Sequence, residues 1–159
     1  GKTIFVVNLL GRVHMDAMDD PFAAADRELD KAPLAQVADA VVVDMHCEAT
    51  SEKMAMGHYC DGRASLVVGT HTHVPTSDER VLPNGTAFLC DAGMCGPQDS
   101  VIGSQIGPVL ERFHTAMPAR FGVGRGTVRV NGALVVVDPA TGKAQSIERV
   151  VRYWEPPPS

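Results

Sequence analysis

The sequence predicts an α/β fold: an open sheet with helices in its first part, then an antiparallel β meander packed onto it. Three observations carry this reading. Short β-branched apolar runs such as "AVVVDM" (40–45) have the near-continuous hydrophobicity of strands covered on both faces. Segments of helical composition lie between such runs, with capping residues at their starts. From Gly126 onward, "GTVRVNGALVVVDPATGKAQSIERVVRYW" alternates apolar and polar residues around two turn signals.

The elements follow in order. Ile4 to Leu10 is the first strand, and "GRVHMDAMDD" after it is an irregular loop. Pro21 to Ala32 is a helix, because Asp20 can cap it and Pro21 suits the first helical position, where a missing N–H costs nothing. Ala40 to Met45 is the second strand. Ser51 to Cys60 is a helix with Thr50 as cap, Glu52 in its first turn and Asp61-Gly62 as its stop. Ala64 to Gly69 and Thr86 to Cys90 are further buried strands, the second leading into the Gly-rich loop "DAGMCGPQD". Gly107 to Thr115 is a third helix, with Pro108 near its start. Turns are expected at Asn131-Gly132 and Thr141-Gly142. No repeat or linker interrupts this order, so one domain is expected over residues 1–154, with "EPPPS" (155–159) as a disordered tail.

Composition narrows the function. The chain has 159 residues, enough for a real core, and is 45% hydrophobic and 21% charged, as in soluble globular proteins. No apolar run nears the roughly 18 residues that a membrane span needs, and no signal-peptide pattern opens the chain. The start lacks Met and runs almost directly into Ile4 to Val7, which reads as a chain cut from something longer or processed. Net charge is −5, with Arg120, Arg125 and Arg129 scattered, which argues against a duplex-binding surface. A small anionic substrate stays compatible, because local cations or metals override net charge. Cys47, Cys60, Cys90 and Cys95 form no CxxC pair. They are expected as buried reduced thiols of a cytoplasmic protein rather than disulfides or a Cys-rich zinc site.

Chemistry concentrates after the strands. His46 follows "VVVDM", and His71 and His73 follow "SLVVG". Loops beyond the carboxyl ends of strands in an open α/β sheet converge on one crevice. Neutral imidazole ligates zinc, iron or manganese there, given an acceptor for its other nitrogen. The alternative is that these are ordinary polar loop residues. His14, His58 and His114 lack this placement and are expected on the surface or on helices. Asp44 lies inside a strand run, so it is either buried with a partner or directed into the site. Glu48, Glu52, Asp78, Glu79 and Asp91 fit capping or loop solvation. In "DAGMCGP", Gly93 and Gly96 permit close backbone approach to a phosphate, though the loop matches neither a P-loop nor GxGxxG. No GxSxG motif occurs, and Cys47 beside His46 would face away from it along a continuing strand.

Several blocks together resemble the YmdB-type branch of the calcineurin-like metallophosphoesterases. They are "NLLGR" (8–12), "DMHCEATSEK" (44–53), "DGRASLVVGTHTHV" (61–74), "DAGMCGPQDSVIG" (91–103) and "TGKAQSIER" (141–149). Cys47 stands where the family usually has Ala. The resemblance implies the C-terminal part of a four-layer α/β/β/α sandwich. It also implies a cytoplasmic di-metal phosphodiesterase acting on 2′,3′- or 3′,5′-cyclic nucleotides, with two divalent transition-metal ions, iron or manganese. By the same resemblance His46 and His71 match ligands of the second ion and His73 a ligand of the first. Members open with an Asp-bearing strand, a Glu-Asn pair and a "GNH" loop that supplies the leaving-group acid, and none of these precedes Ile4. The expectation is therefore a chain that holds three metal-binding histidines and needs an N-terminal segment, in cis or as a partner, for activity. Homo-oligomerisation is compatible with this. The competing readings are a non-catalytic fragment or half of a split protein, and an amidohydrolase, which would need more His and Asp ligands than follow His73.

Overall fold

Strand–helix–strand units build the first sheet in chain order. β1 (Ile4–Leu10), β2 (Ala40–His46) and β3 (Leu66–Thr70) pair in parallel, joined by α1 (Pro21–Leu29) and α2 (Thr50–Tyr59). β5 (Ala87–Leu89) adds in parallel beside β3, and the two-residue β4 (Arg80–Val81) closes the edge antiparallel to β5. The computed structural model describes residues 1–155, and its contacts divide the chain into two compact units. The first holds Gly1–Gly93 with Ala133–Arg149, and the second holds Met94–Gly132 with the chain from Val150 on.

Side-chain alternation along these strands decides where the core lies. Val7, Leu9, Val41, Val43, Met45 and Val67 point to one face and are buried with Ala25 and Leu29 of α1 and Met56 of α2. The even-numbered positions point the other way: Asp44, His46, Val68 and Thr70 are half-buried, and Asn8 is exposed. The run "AVVVDM" is thus not enclosed on both faces as its hydrophobicity suggests. Its second face carries polar groups at regular two-residue steps.

Element ends differ from expectation in instructive ways. Asp20 caps α1 as foreseen, accepting from Phe22 N at 2.9 Å, with Pro21 in the first turn. The helix stops at Leu29 rather than Ala32, because Pro33 disfavours helical geometry just before it and residues 31 and 32 tighten into three-residue steps. Thr50 is the first residue of α2 rather than its cap; Ala49 holds the cap position without a side-chain bond.

In the antiparallel sheet, β6 (Gly96–Pro97), β7 (Val128–Val137) and β8 (Ala144–Trp154) lie in that order. The turn at Thr141-Gly142 forms: Gly142 has φ +71° and its N–H donates to Asp138 O at 2.8 Å. The turn expected at Asn131-Gly132 does not form, and β7 runs straight through it. A two-residue hairpin turn there needs positive φ at both residues, and neither has it. Instead Asn131 Nδ2 donates to Met94 O at 2.6 Å, within the second unit. In that unit α3 (Ile106–Thr115) ends on Ala116, which adopts left-handed geometry. Of the expected tail, Glu155 accepts from Thr127 Oγ1 at 2.8 Å, and residues 156–159 lie outside the described residues. No described helix is long and apolar enough to cross a membrane.

Candidate metal site

Parallel register sets the site. Asn8 is aligned with Asp44, and Leu10, His46 and Thr70 are aligned across β1, β2 and β3. Because all three strands end together, polar side chains on the even face meet in a line. Asn8 Nδ2 donates to Asp44 Oδ2 at 2.7 Å, and Thr70 Oγ1 donates to Asp44 Oδ1 at 2.7 Å. His46 Nδ1 lies 2.9 Å from Thr70 Oγ1. His46 Nε2 lies 3.2 Å from His71 Nδ1, with the two rings nearly perpendicular at 84°. Finally His71 Nε2 lies 3.2 Å from Glu48 Oε2.

Counting protons along this line shows what it lacks. A threonine hydroxyl has one proton, and Thr70 gives it to Asp44, so Thr70 can only accept from His46 Nδ1. His46 Nε2 is then a bare lone pair. A neutral His71 brings one proton to two contacts, one with His46 Nε2 and one with a carboxylate. One contact is therefore left with lone pair against lone pair. An additional proton or a cation resolves it. Nitrogens 3.2 Å apart can both reach one transition-metal ion at about 2.1 Å. Imidazoles with carboxylate partners are the donor type that such an ion takes.

The loop carrying His71 is held in a sterically demanding shape. His71 has φ +101° and His73 φ +68°, values that side chains other than Gly rarely adopt. The compensation comes from Asp91, whose carboxylate accepts from Thr72 N at 3.1 Å, Thr72 Oγ1 at 2.7 Å and Gly93 N at 2.8 Å. It also pairs with Lys53 Nζ at 2.7 Å, and the two side chains are only 1% and 2% exposed. Burial pushes the Asp91 carboxyl up, yet the bonds from Lys53, Thr72 and Gly93 outweigh it and hold the group below the usual carboxylate range. Gly69 makes this packing feasible, since a Cβ there would lie 1.8 Å from Cys90 O and 2.6 Å from Lys53 Cδ. On the β1 side, Glu52 is buried and accepts from Arg12 N at 3.0 Å, which fixes the loop after that strand.

Of the residues singled out in the sequence, His46 and His71 come together. His73 is exposed on the same loop, and among the described residues no hydrogen bond joins it to the pair. No group of three His, Cys, Asp or Glu side chains arranged to hold an ion occurs among the described residues. Gly93 has φ +76°, and its N–H is committed to Asp91. Gly96 lies in β6 of the second unit, where a Cβ would meet Met94 Cε at 2.4 Å. His14, His58 and His114 are exposed. All four cysteines are free; Cys47, Cys60 and Cys90 are buried, and Cys95 is exposed. Burial, reinforced by the nearby Glu52 carboxylate, pushes the Cys47 thiol up to about 12, which removes it as a nucleophile. Thr70, Asn8 and Lys53 carry no role that stands out in the sequence, and nothing there pairs Glu48 with His71. For Thr70 a signal was present: it closes the strand on which His71 follows.

This chain matches the model of the YmdB-like protein family over residues 1–150. It is 46% identical over 151 residues to a 2′,3′-cyclic-nucleotide 2′-phosphodiesterase of Bacillus subtilis, covering 95% of this chain and 56% of the relative. Among solved structures it resembles a hypothetical protein of Thermus thermophilus, with a TM-score of 0.88 and 44% identity over 98% of this chain and 59% of that one. It also resembles a novel phosphatase of Mycoplasma pneumoniae, with a TM-score of 0.82 and 33% identity, covering 96% of this chain and 54% of that chain. The chain spans little more than half the length of these proteins. With the family match running from residue 1 to residue 150, before β1 and into β8, the chain belongs to the YmdB-like family.

Proposed function

We propose that this chain forms part of a metal-dependent phosphodiesterase acting on small phosphodiesters of the cyclic-nucleotide class. The observation that carries the reading is the His46–His71 pair, whose nitrogens lie 3.2 Å apart in a line of contacts one proton short. The name of the Bacillus subtilis relative supports the substrate class. Two divalent ions, iron or manganese, would supply Lewis acidity toward phosphate oxygens and lower the pKa of water. His46 and His71 would hold one ion, and His73 would serve the second. The Asp91–Lys53 pair keeps the loop of His71 and His73 in its strained form, so the ring positions are prepared before any ligand arrives. Gly93 belongs to the proposal as a substrate-side glycine, through its shape rather than its N–H. A net charge of −5 weighs against a nucleic-acid duplex as partner; a small-molecule substrate, no membrane partner and a cytoplasmic setting complete the proposal.

A second reading, a non-catalytic binding unit, is favoured by one observation: no three ligating side chains gather around an ion among the described residues. The two are separated by hydrolysis of bis-p-nitrophenyl phosphate and a 2′,3′-cyclic nucleotide in the presence of manganese. The chain alone is expected to bind at most one ion and show no appreciable turnover. Supplying the region that the longer relatives carry outside the matched part is expected to give manganese-dependent hydrolysis, abolished in His71→Ala. Turnover that survives His71→Ala would overturn the first reading. Absence of turnover in both preparations would leave the second.

A further inference from the structure

A carboxylate stands at each end of the histidine line. Asp44 reaches His46 through the Thr70 hydroxyl, and Glu48 reaches His71 directly. The geometry points to Asp44–Thr70 and Glu48 as the residues that select the tautomers of His46 and His71. Their combined effect is to turn His46 Nε2 and His71 Nδ1 toward each other as two lone pairs for one divalent transition-metal ion. This rests on the metal-dependent reading above and adds the residues that prepare its ligands.

The His46 half follows from hydrogen-bond direction. Asn8 occupies one oxygen of Asp44, and the other accepts the only proton that Thr70 has. The Thr70 oxygen at 2.9 Å can then serve His46 only as an acceptor, so the ring carries its proton on Nδ1. The His71 half follows from charge. In one tautomer, the polar Nε2–H faces the Glu48 carboxylate at 3.2 Å and the bare Nδ1 faces a neutral nitrogen. In the other, a bare Nε2 would face a full negative charge at 3.2 Å. The first is favoured by charge, because the carboxylate attracts the positive end of an N–H and repels a bare lone pair. The backbone at φ +101° and the Asp91 bonds to Thr72 keep the His71 ring from swinging away. Asp44, Thr70 and Glu48 are thus positioning residues, acting through imidazoles rather than on the ion.

The test uses the chain labelled with ¹⁵N-histidine and zinc as the probe, read by long-range ¹H–¹⁵N correlation. Without zinc, His46 is expected to be protonated at Nδ1; zinc is expected to shift His46 Nε2 and His71 Nδ1. Thr70→Val should mix the His46 tautomers and weaken zinc binding by about 10–100-fold, and Thr70→Ser should restore both. Glu48→Gln alters a side chain that is 51% exposed, so it does not threaten folding, and it should weaken zinc binding in the same direction. His46 protonated at Nε2, or unchanged at Nδ1 in Thr70→Val, while zinc still binds would overturn this inference alone. Zinc that moves neither ring of the unsubstituted chain would overturn the metal reading together with it.

Discussion

Two polar clusters hold the loop after β3, and they differ in how completely their bonding is satisfied. At Thr72, Asp91 and Lys53 form a buried pair in which the Asp91 carboxylate takes four hydrogen bonds. At His71, the ring is 33% exposed and shares with His46 and Glu48 a set of contacts that lacks one proton. The saturated cluster has nothing left to bind and serves as a clamp. The unsaturated one has bonding capacity to offer. Thr72, tied to the saturated buried pair, and His71, left short of a partner, sit a single position apart.

Breaking the clamp should have the largest effect. Lys53→Met leaves Asp91 buried and unpaired, and is expected to cost about 3–5 kcal/mol in urea or thermal unfolding. Adding Asp91→Asn removes the stranded charge while keeping an acceptor for Thr72, so the double variant should recover part of that loss. A double variant as unstable as the sum of the single ones would show that the two residues do not act as a pair.

Acid titration sharpens the contrast. Burial opposes ionisation of Asp91, yet its hydrogen bonds win and depress its folded pKa. Its ionised form therefore adds stability above the unfolded carboxylate value near about 3.9, and this is lost as pH falls through the folded value. Urea midpoints between about pH 5 and pH 2 should fall more steeply for the unsubstituted chain than for Asp91→Asn. Parallel curves would remove Asp91 as a source of the acid sensitivity.

On the unsaturated side, stability and binding should separate. His71→Ala removes a part-exposed ring whose contact with Glu48 is solvent-screened, so unfolding is expected to change by no more than about 1 kcal/mol. Zinc affinity should fall by more than the about 10–100-fold typical of losing an orienting partner. A large loss of stability with unchanged zinc binding would reverse the roles given to the two clusters.

The smallest effect concerns the thiols. Cys47 adjoins His46 in sequence but lies on the buried face, where burial and Glu52 raise its pKa to about 12. A disulfide reagent at mildly alkaline pH should modify Cys95 quickly and the other three only after unfolding. Rapid reaction at Cys47 would mean that the buried side of the strand end is more open than described.

Much of this could be read in the residues before the coordinates. The strands were legible because buried parallel strands concentrate β-branched residues, and the α1 start because Asp20-Pro21 has one obvious use. The placement of His46 and His71 at neighbouring strand ends was likewise enough to bring them together. The partners were not legible. Whether Thr70 or Asn8 meets Asp44 depends on strand register, which no local pattern states. Lys53 carries no signal in the sequence, because its burial depends on Gly69 and Asp91 converging from other elements. Asn131-Gly132 misled because its turn signal is local, whereas Met94 holds the Asn131 side chain within an extended strand.

The line from Asn8 to Glu48 crosses three strands at matched positions. Strand side chains alternate, so sliding β1 or β3 by one residue against β2 would send Asn8 or Thr70 to the opposite face. The same slip would push Leu9 or Val67 out of the core. Misalignment is therefore penalised twice, once as lost packing and once as a severed line of hydrogen bonds. The ends of the strands work as a folding checkpoint: only a correctly registered sheet brings the His46 and His71 nitrogens to 3.2 Å.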